Sequence, residues 1–129
     1  MVYKEEEAEI VADAVVRALV AKIKAMEILD KGLVSDTGVS TVDRVAVILG
    51  SLNPRYYNKL LSTEPRKDDV DKVFEVARDT GMWGEEVVLL AMVRRMVVES
   101  LRSGVARVSD LVDTSDKEDA DRKRAIEIS

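Results

Sequence analysis

Residues 84–103 read GEEVVLLAMVRRMVVESLRS. Apolar side chains fill Val87 to Val93 and Met96 to Val98, with Leu101 beyond them. The run is too long for a strand, and its few polar residues recur at helical spacing. They form one narrow stripe, Arg95, Glu99 and Arg102, with Arg94 beside it. A helix that is apolar on most of its circumference belongs at the centre of a bundle or at a subunit interface. Gly104 follows as its cap. This stretch predicts an all-α protein, a compact multi-helix bundle built around a central hydrophobic helix.

Working outward, the same period runs through nearly the whole chain. A long N-terminal helix is predicted from about Lys4 to Asp30, with Val11, Val15, Leu19, Ile23, Met26 and Leu29 as its apolar stripe. Glu5, Glu6, Glu7 and Glu9 sit at its start, where the helix dipole favours acids, and Gly32 is its stop. After a loop over Leu33 to Val39, a second helix opens at Ser40 with Asp43 three residues on. Its apolar face is Val42, Val45, Ala46 and Leu49, and Gly50 ends it. Asn53-Pro54 pairs a capping side chain with proline at the first helical position, starting a short third helix. A fourth carries Val70, Val73, Phe74 and Ala77 on one face and ends at Gly81. Beyond the central helix, Val105, Val108, Leu111 and Val112 suggest a sixth helix, and Ser115 with Glu118 a capping box for a seventh over Asp116 to Ile128. One all-helical domain, 1–129, accounts for the chain: a long N-terminal helix or arm (1–32), a helical core (40–104) and charged C-terminal helices (105–129).

Composition excludes several chemistries. The chain has 129 residues with no His and no Cys, so it lacks disulfides, thiolate nucleophiles, imidazole bases and imidazole metal ligands. No phosphate-binding glycine loop is present. Asp68, Asp69 and Asp71 cluster where a helix start favours acids, as do Glu85 and Glu86, so no metal site and no cofactor are assigned. No nucleophile is paired with a base, and the protein is read as non-enzymatic. Apolar runs are short and broken by charge, and the acidic start is unlike a signal peptide, so no membrane span and an intracellular location are expected. Few amides, no Cys, abundant Val and 35% charged residues match a hyperthermophile composition.

The net charge of −5 is concentrated at the ends. Residues 1–9 carry −3 and residues 105–129 carry −2, which leaves 10–104 balanced and free to hold a basic strip. Arg17, Lys24 and Lys31 are seven apart along the first helix, a spacing suited to a helix laid on a phosphate backbone. Asp13 and Glu27 offer them ordinary helix ion pairs instead. Arg55 and Lys59, beside Tyr56 and Tyr57 near a helix start, could take a phosphate and stack on a base; equally, one Tyr is core and the other rim. Arg94 and Arg95 either reach phosphate or a partner's carboxylates, or Arg95 pairs with Glu99 on the exposed stripe. Arg122-Lys123-Arg124 reads as a solvated, salt-bridged helix, and Trp83 as a packing anchor. Ala46, Gly50 and the Asn53-Pro54 start outline a helix-turn-helix, but Tyr56 and Lys59 fall where that motif needs apolar residues.

In size, helical build, long N-terminal helix and composition, the chain resembles the major capsid proteins of filamentous double-stranded DNA viruses of hyperthermophilic archaea. The resemblance implies two related chains pairing and stacking along DNA, with helical arms that contact phosphates rather than bases. It implies a nucleic-acid-binding set of Arg17, Lys24, Lys31, Arg55, Lys59, Arg94 and Arg95, a second copy or a homologous subunit as partner, and a virion or host-cytoplasm location. Net acidity departs from that pattern and calls for uneven charge or a more basic partner chain. The stretch Ser40-Thr41-Val42-Asp43-Arg44-Val45-Ala46 is similar in character to a helix start in the small all-helical subunits of archaeal CRISPR effector complexes. That resemblance implies a subunit lining a guide–target channel. A helix-turn-helix regulator is the third reading.

Overall fold

The computed structural model describes residues 3–33, 41–78, 80–82 and 84–104, with side chains undescribed for 27–33. These residues form α1 (Glu5–Leu33), α2 (Thr41–Gly50), a 3₁₀ turn (Pro54–Tyr56), α3 (Tyr57–Leu61), α4 (Lys67–Ala77) and α5 (Glu85–Arg102). The fold is a compact all-α bundle with no strand among the described residues. The expected sixth and seventh helices, Trp83 and the Arg122-Lys123-Arg124 triplet lie outside them.

α5 is the axis of the bundle. It packs against α1, α2, α3 and α4, and α1 and α4 cover most of it. Val87, Leu90, Ala91, Val93, Met96, Val97, Val98 and Leu101 are all buried. Glycine flanks it at both ends. Gly84 caps its start at φ 59°, and Gly104 follows its end at φ 70° with its N–H on the Leu101 carbonyl. Both lie in the left-handed region that costs glycine little.

α1 packs chiefly on α5 and also touches α2 and α4, and it buries Ala8, Ala12, Val15, Val16, Leu19, Val20 and Ile23. The buried face opens with two alanines, and the ends of the predicted stripe fall at or beyond its edge. Val11 is half-buried and Met26 is exposed. Helical backbone runs on through Gly32, three residues beyond the predicted end. The α1 N-terminus is tied to the end of α5 by the Tyr3 N–H on the Leu101 carbonyl and by a Glu5–Arg102 ion pair at 3.7 Å.

Two faces differ from the sequence reading. In α2 the residue that enters the core is Ile48, while Val42 is 75% exposed and Ala46 is exposed. In α4, Val73 and Ala77 are buried, but Phe74 stands at the edge of an open groove lined also by Asp71, Glu75 and Arg78. The Asn53-Pro54 start forms as expected: the Asn53 side chain accepts the Arg55 N–H at 3.1 Å, and Pro54 opens the 3₁₀ turn. Tyr56 is core, while Tyr57 is half-buried and donates its hydroxyl to the Leu49 carbonyl at 2.6 Å. That bond ties α3 back onto the end of α2.

Candidate nucleic-acid interface

Two arginines in an apolar helix need carboxylates, and α4 supplies one. Asp69 is the third residue of α4, and its Oδ2 accepts the Arg66 N–H at 2.8 Å, which caps the helix start. The same carboxylate faces α5. Arg95 grips it with two bonds, Nε to Oδ2 at 2.8 Å and a terminal nitrogen to Oδ1 at 3.2 Å, and Arg94 donates to Oδ1 as well. Arg94 Nε then donates to Asp13 of α1 at 2.7 Å. Two guanidiniums and two carboxylates thus form a neutral cluster that joins α1, α4 and α5.

Arg94, Arg95 and Asp69 are exposed by 2%, 1% and 0%. Burial pushes the Asp69 carboxyl up, but the bonds from Arg95, the Arg66 N–H and Arg94 outweigh it and hold the group below its ordinary value. Burial works against the charge of Arg94, and its bonds to Asp13 and Asp69 reverse that and raise it. Asp69 and Arg94 are thereby both held in their charged forms.

This corrects the assignment of Arg94 and Arg95 to the nucleic-acid interface. Both are buried, Arg95 is paired with Asp69, and Arg94 is paired with Asp69 and Asp13. It also corrects the Arg95–Glu99 surface pair: Glu99 is exposed, while the start of α4 covers Arg95. The sequence contains Asp69 but marks it only as one of three acids at a helix start. Its signal lies in the demand of Arg94-Arg95 for a buried counterion, and nothing in the spacing selects Asp69 over Asp68 or Asp71.

The remaining predicted bases lie on three elements: α1, the 3₁₀ turn and α3. Arg17 and Lys24 are exposed on α1, and Lys31 lies on the same helix with its side chain outside the described set. Arg55 is exposed on the 3₁₀ turn, and Lys59 on α3 is half-buried. Asp13 is turned to Arg94 rather than to Arg17. Lys22, absent from the predicted set, is exposed on α1 and donates to Ser51 Oγ at 3.2 Å, beside the Asn53 turn.

α1 carries an unusual outer surface. From Ile10 to Met26 its exposed side chains are Ile10, Ala14, Arg17, Ala18, Ala21, Lys22, Lys24, Ala25 and Met26, with no acid among them. Short alanines separate the three cations Arg17, Lys22 and Lys24, and the partly buried Asp13 near them is bonded to Arg94. The helix-turn-helix outline is left with a five-residue α3 as its recognition helix, with Tyr56 buried at its start. Such a helix offers about one turn to a major groove.

Among the described residues no group of three acids could hold a metal ion, and no helix is long and apolar enough to cross a membrane. Compared with protein-family models, with curated proteins and with solved structures, the chain finds no match.

Proposed function

We propose that this protein is a non-enzymatic nucleoprotein subunit, a capsid-type chain that assembles helically along double-stranded DNA through phosphate contacts. The observation that carries this reading is the stretch of α1 from Ile10 to Met26, whose exposed side chains are Arg17, Lys22 and Lys24 among alanines, Ile10 and Met26. Such a surface suits a uniform backbone of negative charge and has none of the amide side chains that read base edges. Arg55 and Lys59 at the 3₁₀ turn add a second set of phosphate contacts. The partners are DNA and further copies or homologues of the chain, in a virion or a host cytoplasm, and a composition rich in charge and without cysteine supports a host at high temperature.

The test is binding to random double-stranded DNA over a salt series. Wild type should bind without sequence preference, with affinity falling steeply as salt rises. Replacing Arg17, Lys24 and Lys31 together by Glu should abolish binding while the helical circular dichroism is unchanged. Unchanged binding by that variant would sink the assignment of the α1 face.

A further inference from the structure

We infer that Arg94 is a positioning residue for the basic row on α1: it holds the Asp13 carboxylate away from Arg17 and so leaves the Arg17 guanidinium for a phosphate. The inference rests on the DNA-binding role proposed above for its ligand, but not for the contact itself. Asp13 is the one acid between Ile10 and Met26, and it stands four residues before Arg17 on the same helix. An acid at that spacing is the ordinary partner of an arginine one turn on, with Cβ atoms about 5–6 Å apart. A carboxylate bonded there would cancel one of the three exposed cations of the row.

Two arginines thus compete for one carboxylate, and their surroundings decide between them. Arg94 Nε donates to Asp13 Oδ1 at 2.7 Å, while a terminal nitrogen of the same guanidinium donates to Asp69. The Arg94 side chain is 2% exposed, so water cannot replace a partner lost there. Arg17 is exposed, and water solvates its guanidinium when no acid does. Burial works against the charge of Arg94, and Asp13 heads the bonds that restore it. The Asp13 side chain is 23% exposed, at the edge of the core, so its carboxylate can turn outward once Arg94 releases it. A residue of the interior therefore sets how many cations the surface of α1 presents.

The test is Arg94→Met, in which Asp69 keeps its two bonds to Arg95. The salt dependence of binding to random double-stranded DNA counts phosphate contacts, at about 0.9 in the slope of log K against log salt for each. Arg94→Met should flatten that slope by about 0.9, as far as Arg17→Gln does, and the two together should flatten it no further. Adding Asp13→Asn to Arg94→Met should restore the wild-type slope. Asp13→Asn alone, whose amide oxygen still accepts the Arg94 Nε–H, should leave the slope unchanged, and it decides the matter should Arg94→Met not fold. A second readout needs no DNA: by NMR, hydrogen exchange of the Arg17 Nε–H should slow severalfold in Arg94→Met and recover in the double variant. A wild-type slope for folded Arg94→Met, a steeper slope for Asp13→Asn alone, or an Arg17 exchange rate indifferent to Arg94→Met would each overturn the inference. Wild type that binds no DNA would overturn the nucleoprotein reading instead, and the exchange rates would still decide whether Arg94 holds Asp13 off Arg17.

Discussion

Arg95 sits between Met92 and Glu99 on the least apolar side of α5, yet it is as buried as the valines around it. The reason is the carboxylate of Asp69, which serves as cap of one helix and counterion of another. Two cations that share one buried anion make that anion expensive to lose. Asp69→Ala is expected to destabilise the fold by about 3–5 kcal/mol, because it strands Arg94 and Arg95 without their shared partner. Urea denaturation of the variant beside wild type measures it. Replacing Asp69, Arg94 and Arg95 together by apolar residues of similar volume should restore most of that loss, since a buried ion cluster holds its place mainly against being half-removed. The pH dependence has a definite sign. Asp69 titrates lower in the folded chain than in the unfolded one, so its contribution is full above its ordinary value of 3.8 and is lost as pH falls through the folded value. Stability measured from about pH 6 to pH 2 should fall along a limb that Asp69→Asn no longer shows. Arg94 and Arg95 were legible as a problem in the sequence; the solution was not, because the counterions lie 25 and 81 positions away from Arg94 in the chain.

Elements differ in how openly they declare themselves. The Asn53-Pro54 start is local chemistry, one side chain and one fixed φ, and it forms as written. Asn53→Ala is expected to cost about 1 kcal/mol, measured as a shift of the urea midpoint at constant slope. α2 hides its orientation because it is apolar on two sides: Val42, Val45, Ala46 and Leu49 make one face, and Val47 and Ile48 lie on the other. Ten residues give too few turns for periodicity to decide, and tertiary packing places Ile48 inward. Ile48→Ala should therefore cost about 2–5 kcal/mol, whereas Val42→Ala should change thermal stability little. α1 declares its length and its acidic start, but its buried face includes Ala8 and Ala12, which periodicity built on large residues passes over. For the same reason the exposed row Ala14, Ala18, Ala21 and Ala25 is silent in the sequence until the position of α5 identifies it as the outer face.

At the scale of the molecule, the all-α bundle follows from a single stretch. A helix with apolar residues nearly all round can be satisfied only by helices on several sides, and α1, α2, α3 and α4 provide them around α5. The candidate interface was legible in part. Arg17 and Lys24 stand exposed on α1 and Arg55 on the 3₁₀ turn, while Arg94 and Arg95 belong to the interior. What remains outside is basic on α1 and acidic at its first turn, a distribution that net charge conceals. The account makes the outer surface of α1 the place where DNA is held, and electron microscopy of the full chain tests it most directly. With random double-stranded DNA at low salt, regular filaments are expected that are absent without DNA and that dissolve as salt is raised. Particles that stay small, with no DNA bound at any salt, would contradict the nucleoprotein reading and leave a helical bundle whose partner is another protein.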